Sequence, residues 1–387
     1  MRQRLAVLGS TGSIGRSVLE VVRHHPDRLE IVALAAYGQS PRVLLEQAGE
    51  FTPRLVAVFE PASAERVARR LPGVRVVSGI EGVLEAASHP AVDRVVAAMV
   101  GAAGVRPVEA ALDAGKNVAL ANKESMVVAG SLLTRLASAR GAEIVPVDSE
   151  HVALHQVLRG GSRSEVRRLV LTASGGPFRD RDPASWETIT PEEALQHPTW
   201  DMGAKISVDS ATLMNKALEL IEASHLFAVP AERIEVVIHP QSLVHSLVEF
   251  CDGNWLAQLA VNDMIFPIQY SLSYPERWEN RFPRLQPAEL GELEFRGVDP
   301  VRFPAPALAR EALTMGASGP AVLNGANEAA VAAFLGKRVP FTAIVPAAAE
   351  ALRSHSPGPC DSIEEALEWD NWGRRRAEEI LGLNAEV

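Results

Sequence analysis

Cysteine is scarce: Cys251 and Cys360 are the two present in 387 residues, far apart and without a C-x-x-C spacing. Neither a disulfide framework nor a thiolate zinc site is expected, and a reducing, cytoplasmic setting fits. Positive charge is also short. Lys and Arg total 38 against 48 Asp and Glu, a formal net charge of -10, whereas nucleic-acid binding needs a basic face. A short basic run, Arg374-Arg375-Arg376, is followed by Glu378 and Glu379 and reads as a solvated helix face. No segment approaches the roughly 18 uninterrupted apolar residues of a membrane span. The apolar run after Arg2 and Arg4 stops at Gly9, short of the roughly 7–15 residues of a signal-peptide core. Neither nucleic acid nor a membrane is therefore expected as a partner.

What is there is a soluble composition, 47% apolar and 22% charged, over a length that calls for two or three domains. Short apolar runs at 5–8, 31–36, 55–58, 74–77, 94–98, 118–120 and 144–147 alternate with helical patterns at 14–23, 62–70 and 105–114. Such alternation predicts an α/β, doubly wound parallel sheet over residues 1–147. An α+β domain is expected over 148–285, with strands at 166–172, 234–238, 243–250 and 255–261. The last two flank Cys251-Asp252-Gly253-Asn254, a hairpin signal. A helix is expected over 208–227, and a Pro-rich loop with short helical pieces over 177–203. After a linker at 286–303, residues 304–387 read as helices only, at 305–315, 321–335, 342–354 and 362–381. The last opens on Ser362-x-x-Glu365, a capping box.

Gly9-Ser10-Thr11-Gly12-Ser13-Ile14-Gly15 stands between the first strand and the first helix. Gly9 permits the tight turn, Gly12 lets the backbone approach a pyrophosphate, and Gly15 lets helix and strand pack closely. The helix N-terminus then faces the phosphates. The spacing is G-x-x-G-x-x-G, and its place in a βαβ unit points to a dinucleotide over a structural turn. The second strand ends Tyr37-Gly38-Gln39-Ser40, with Arg42 near and no carboxylate to repel a 2′-phosphate. That favours NADP over NAD.

Asp148-Ser149-Glu150 closes an apolar strand, facing the crevice where α/β sheets bind ligands. The plain alternative is that Asp148 caps the helix beginning near His151. On a helix, Asn215 and Glu219 lie about 40° apart and Lys216 about 60° from Glu219. Glu219 alone reads as a solvated face. With Ser210, Asn215 and Lys216 on the same element it reads as part of a phosphate and metal site. Three carboxylates brought together need a cation, and an all-oxygen set selects Mg²⁺ or Mn²⁺. His151 and His155 at i, i+4 lack the H-E-x-x-H glutamate, since Val152 stands there; His155 reads as structural. Ser174-Gly175-Gly176-Pro177 is an anion nest or a plain loop. His197–Gly203 is a candidate lid with Trp200 and Met202 as cover and Gly203 as hinge. Ala121-Asn122-Lys123-Glu124-Ser125 follows a strand end, and its lysine is expected to contact substrate or coenzyme, the plain alternative being a surface lysine.

Taken in order, residues 9–15, 121–125, 147–151, 174–178, 197–203, 205–219 and 324–328 resemble 1-deoxy-D-xylulose 5-phosphate reductoisomerases, enzymes of isoprenoid precursor synthesis. The resemblance implies an NADP-binding domain, a catalytic domain that also makes the sheet of a homodimer, and a C-terminal helical domain. It implies that Asp148, Glu150 and Glu219 bind the metal. It implies that Ser174, Ser210, Asn215 and Lys216 hold a substrate phosphate with His197 closing over it, and that Lys123 and Ser149 touch substrate oxygens. Thr11, Gly12, Ser13, Ile14, Gly38, Gln39, Ser40, Asn122, Glu124 and Gly203 would line NADPH. Two departures stand out. A basic residue and then Asn are common after Gly38 in the family, where this chain has Gln39 and Ser40, and Arg42 is the substitute considered. Ala is common where this chain has Gly325, a change expected to matter little. The implied reaction is a metal-assisted rearrangement of a phosphorylated sugar, by retro-aldol cleavage and re-addition, then hydride reduction. The rivals are an NADP-dependent semialdehyde dehydrogenase, which needs a catalytic cysteine, and a non-catalytic NADP-binding sensor.

Overall fold

Seven strands build the first sheet of the computed structural model, which describes residues 2–197, 200 and 202–383. They are β1 (Gln3–Leu8), β2 (Leu29–Ala36), β3 (Leu55–Val58), β4 (Arg75–Ser78), β5 (Arg94–Ala97), β6 (Asn117–Leu120) and β7 (Ile144–Pro146). All pair in parallel in the order β4-β3-β2-β1-β5-β6-β7. Near-continuous Val, Leu and Ala runs are what a parallel sheet covered on both sides requires. The order reverses between β1 and β5, so a crevice opens at the carboxyl end of β1. The helices are α1 (Ser13–His24), α2 (Pro41–Phe51), α3 (Pro61–Ala68), α4 (Gly79–Ser88), α5 (Val105–Asp113), α6 (Lys123–Arg140) and α7 (Ser149–Val157).

This sheet belongs to a compact unit of Met1–Ser125, Leu133–Val152 and Asp263–Phe282. Its core joins Leu5, Val7, Val18, Leu34, Val56, Val96 and Val147 to Ile265, Ile268 and Leu272. Those last three come from a late helix, Ile265–Ser273, whose final carbonyls are held by Arg94 at the start of β5. The buried Arg94 guanidinium donates to the carbonyls of Ser271 and, at 3.1 Å, Leu272. A cation suits a helix C-terminus, where the carbonyl dipoles point outward. Ser271 Oγ in turn donates to the carbonyl of Pro146, two residues before Asp148.

The second unit is Met126–Leu132, Ala153–Asn262 and Pro283–Val387. Its sheet contains β8 (Val166–Ala173), β9 (Ile234–Ile238), β10 (Val244–Phe250), β11 (Trp255–Leu259) and β12 (Arg296–Gly297) in the order β11-β10-β8-β9-β12. β8 and β9 are parallel; the other pairs are antiparallel, including the β10–β11 hairpin expected from Asp-Gly. The helices that follow α7 are α8 (Pro191–Ala194), α9 (Ala204–Ala211), α10 (Met214–Phe227), α11 (the Ile265–Ser273 helix of the first unit), α12 (Ala305–Thr314), α13 (Ser318–Leu335), α14 (Ile344–Ser354) and α15 (Ile363–Ile380). The Ser362/Glu365 capping box of α15 is formed. Among the described residues, no helix is long and apolar enough to cross a membrane.

Two expectations need correction. The helix expected over 208–227 is two helices, broken where Leu213 takes a left-handed backbone (φ 57°). Thr212 stabilises the break: its Oγ1 bonds the carbonyls of Val208 and Asp209 at 3.2 Å and accepts from Met214 N–H at 3.3 Å. Gly325 is also more than a neutral change. A Cβ there would lie 1.8 Å from the carbonyl oxygen of Asp370, so α13 and α15 cross at a distance only glycine allows. Gly373 makes the reciprocal approach, 2.3 Å from Val322 O for an added Cβ.

Candidate active site

In the first unit, the turn after β1 has the shape a pyrophosphate needs. Gly9 has φ +90°, and a Cβ there would meet Ala98 O at 2.3 Å; one on Gly15 would meet Gly9 O at 2.3 Å. Both glycines are thus fixed by close packing of turn, strand and helix. Gly9 and Ser10 N–H bond Ala35 O at 2.8 and 2.9 Å, and Gln47 Nε2 holds Ser10 O at 2.8 Å. Gly12 is the N-cap of α1 and offers no side chain, so the first N–H groups of α1 have no side-chain cap. A phosphate fits such a helix start. Thr11 stands on this turn, Ser13 and Ile14 open α1, and Gly38, Gln39 and Ser40 follow β2.

Asn122 caps α6, accepting from Ser125 N–H at 3.1 Å and donating to Met99 O, Gly101 O and Glu124 Oε2 at 2.8, 3.0 and 2.9 Å. It locks the β6–α6 corner, so the Asn122–Glu124 triplet carries a structural duty the sequence did not reveal. Lys123 opens α6 and is buried; its Nζ lies 2.6 Å from Asp148 Oδ2. Asp148 is the N-cap position of α7, since its carbonyl accepts Val152 N–H at 2.8 Å. Its carboxylate serves another purpose: it meets Lys123, with His151 Nδ1 at 3.5 Å from its second oxygen. The cap is made through the Asp148 backbone, which leaves its carboxylate to pair with Lys123. Ser149 Oγ donates to Glu150 Oε2 at 2.5 Å.

In the second unit, β8 runs out into Ser174, and the two glycines after it turn the chain. A Cβ on Gly176 would lie 2.6 Å from Ser210 O, so the Ser174 loop is pressed onto the end of α9 and sets Ser174 near Ser210. Gly176 N–H donates to Ser174 Oγ at 3.2 Å. Trp200 N–H donates to His197 Nδ1 at 3.0 Å, which leaves the ring hydrogen on Nε2 and makes Nε2–H the donor to Ser174 Oγ, 3.0 Å away. Burial, with the charges of Lys216 and Arg179, pushes the His197 pKa down to about 4. The imidazole is accordingly neutral at pH 7. Trp200 faces the His245 ring at 6.4 Å. Pro198, Thr199 and Asp201 of the candidate lid lie outside the described residues, and Gly203 is the N-cap position of α9.

Glu219 was expected on the basis of its neighbours, because a lone glutamate on α10 reads as solvated. The helix has no such side over its middle: Lys216 through Ala223 are all buried, and Glu219 is 1% exposed. Lys216 Nζ lies 2.7 Å from Glu219 Oε2, and Asn215 Nδ2 donates to Oε1 at 2.5 Å. Ser210 is on α9 across the Leu213 break, so the phosphate-type donors come from two helices, not one. Sequence reasoning missed Lys205, Asp209 and Asn327. Asp209 is buried, paired with Lys205 at 2.8 Å and held by Asn327 Nδ2 at 2.8 Å. That ties α9 to α13; the i, i+4 spacing of Lys205 and Asp209 was the available signal.

The donors suit a hard cation. Asp148 and Glu219 each already attract an ammonium group within 2.7 Å, and Asp148, Glu150 and Glu219 offer only carboxylate oxygen, the set that Mg²⁺ and Mn²⁺ prefer. Burial, with the charges of Arg159 and Arg163, lowers the His155 pKa to about 4, so its imidazole is neutral at pH 7. Cys251 is exposed at the hairpin turn and Cys360 is buried ahead of α15.

Three family models match in succession: 1-deoxy-D-xylulose 5-phosphate reductoisomerase over residues 5–130, its C-terminal domain over 144–227, and the DXP reductoisomerase C-terminal domain over 259–376. A curated 1-deoxy-D-xylulose 5-phosphate reductoisomerase of Anaeromyxobacter sp. (strain K) is 53% identical over 386 residues, covering 100% of this chain and 99% of that protein. The solved reductoisomerase of Zymomonas mobilis in complex with NADPH superposes with a TM-score of 0.91 at 40% identity, over 98% of this chain and 99% of that one. Another, in complex with NADPH, fosmidomycin and magnesium, gives 0.94 at 41%, over 98% of each chain. By sequence over its whole length and by fold, the chain belongs to the 1-deoxy-D-xylulose 5-phosphate reductoisomerase family.

Proposed function

We propose that the chain converts 1-deoxy-D-xylulose 5-phosphate to 2-C-methyl-D-erythritol 4-phosphate with NADPH and Mg²⁺ or Mn²⁺, supplying isoprenoid precursors. The observation that carries this is Glu219, buried and held by Asn215 and Lys216 on one helix, in a chain of this family. Asp148, Glu150 and Glu219 would hold the metal, which when bound supplies a Lewis acid for adjacent substrate oxygens. NADPH, seated on Thr11–Ile14 and the β2 turn with Asn122, Glu124 and Gly203, supplies the hydride.

The chain's own residues do the rest. Lys216, Asn215, Ser174 and Ser210 grip the phosphate, and this remote binding energy positions the reacting end. His197 donates through Nε2–H as a neutral group, so it closes over the dianion without titrating near pH 7. Lys123 and Ser149 contact the substrate oxygens, and the charge of Lys123 beside Asp148 favours the oxyanion that develops as the skeleton rearranges. Trp200 and Met202 exclude water. The functional division is a coenzyme portion over 1–147, a catalytic portion over 148–285, a linker and a helical portion over 304–387. A cytoplasmic homodimer fits; Trp255, Leu256 and Leu259 leave an apolar edge on β11, 44%, 42% and 37% exposed.

The test is NADPH absorbance in the presence of 1-deoxy-D-xylulose 5-phosphate. Oxidation that needs Mg²⁺ or Mn²⁺ and stops with EDTA is expected. Coenzyme binding with no oxidation would instead mark a sensor, and metal-independent oxidation a plain dehydrogenase.

A further inference from the structure

The turn after β2 carries no cation of its own: Tyr37, Gly38, Gln39 and Ser40 are all uncharged. A 2′-phosphate seated there needs a positive partner from another element, and two arginines are placed to supply it. Arg42, in the first turn of α2, is 90% exposed along its side chain and bonded to Glu46 at 2.9 Å. That i, i+4 pair directs the guanidinium along its own helix, away from the turn.

Arg66 is differently held. Backbone bonds lock the β3–α3 corner onto the β2 turn: Phe59 N–H to Ala36 O and Glu60 N–H to Tyr37 O, both 2.9 Å. Ser63, fully buried on α3, packs against Gly38; an added Cβ on that glycine would lie 2.8 Å from Ser63 Cβ. The Ser63 hydroxyl bridges Gly38 O at 2.9 Å and the Glu60 carboxylate. Arg66, one turn later on the same face, donates from Nη2 to Ser63 Oγ at 2.6 Å, with Glu60 at 3.9 Å. The guanidinium therefore stands on a buried post attached to the coenzyme turn itself. Its remaining N–H groups are suited to paired bonding of phosphate oxygens.

We propose that Arg66 recognises the 2′-phosphate of NADPH and so sets this chain's preference for NADPH over NADH, with Ser63 and Glu60 positioning it. This rests on the NADPH reading above. Glu60 is the opposing charge: it orients Arg66 while lowering the net attraction for the phosphate.

The experiment is a titration of the full-length protein with NADPH and with NADH, followed by coenzyme fluorescence without substrate or metal. Arg66→Ala is expected to weaken NADPH binding about tenfold or more, the scale of a charged hydrogen bond, and to leave NADH within about twofold. Arg66→Lys should recover part of the loss, and Arg42→Ala should leave both coenzymes within about twofold. The Arg66 side chain is 62% exposed, and an unchanged melting curve for Arg66→Ala would confirm that folding is intact. NADPH preference that survives Arg66→Ala, or an equal loss for both coenzymes, overturns the assignment while leaving the NADPH reading in place. A wild-type protein with no preference for NADPH overturns both.

Discussion

Glu219→Gln separates the metal role of this residue from its packing. The wild-type pair is 2.7 Å long between side chains 1% and 6% exposed, so solvent screening is slight. Removing one partner of such a pair costs about 3–5 kcal/mol, because the other charge is left buried. The amide keeps an oxygen for Asn215, which places the variant toward the lower end. Lys216→Met combined with Glu219→Gln removes both charges, and the stability lost in the single variant should largely return, a coupling of about 2 kcal/mol or more in a double-mutant cycle. Urea midpoints compared at constant slope read this out. Mn²⁺ binding, followed by electron paramagnetic resonance, should weaken by about 100-fold or more in Glu219→Gln, given that loss of even an outer-sphere partner costs 10–100-fold. Turnover should vanish and NADPH binding persist. Wild-type Mn²⁺ affinity with retained turnover in the folded single variant would refute the reasoning, since Glu219 would then be only the partner of Lys216.

Three further outcomes are expected. His197 is neutral above about pH 5, so the pH profile of kcat/KM between pH 6 and 8.5 should carry no His197 ionisation; His197→Gln should raise KM and leave the profile's shape unchanged, and an ionisation near pH 6.5 that disappears in the variant would contradict this. Burial, with the charge of Glu328, raises Asp370 to about 6, above its unfolded value of about 3.9. The folded form then holds the proton more tightly, so its stabilising contribution is present below about pH 4 and is lost as pH rises to about 6. Arg374 offsets little of this because its shorter bond, 2.8 Å, goes to Glu328. Asp370→Asn keeps the size of the group and should gain about 2–3 kcal/mol relative to wild type between pH 4 and pH 7, seen as a difference in urea midpoints that grows with pH; a pH-independent difference would count against it. Gly325→Ala drives a methyl into the Asp370 carbonyl and should cost about 1–3 kcal/mol, lowering the melting temperature; an unchanged melting temperature would show that α13 and α15 separate freely.

The parts legible in the sequence share a property: each is written within a few residues. Strand and helix periodicity in β1 to β7, the glycine turn at Gly9, the Asp-Gly hairpin and the Ser362 capping box all formed where expected. Asp148, Lys123 and Lys216 were likewise legible as candidates because charged groups stand beside apolar runs. Leu213 was not, since nothing in a leucine announces a left-handed backbone; Thr212 and the packing around it impose one. Gly325 read as a neutral exchange because its contact, the Asp370 carbonyl, is 45 residues away in sequence. Arg94 holding α11, and Asn327 holding Asp209, are likewise long-range bonds with no local signature.

The sequence by itself thus determined the parallel sheet, the dinucleotide turn, the types of residue at the site and, through its motifs, the family. Tertiary structure alone decided that Glu219 is buried and faces Lys216, that Lys123 meets Asp148, that His197 carries its proton on Nε2, and that Arg66 stands over the β2 turn. The reason is physical. Backbone preference and hydrophobic period act over one or two turns of chain, whereas burial, pairing of charge and tautomer are set by whichever groups folding brings within 3 Å.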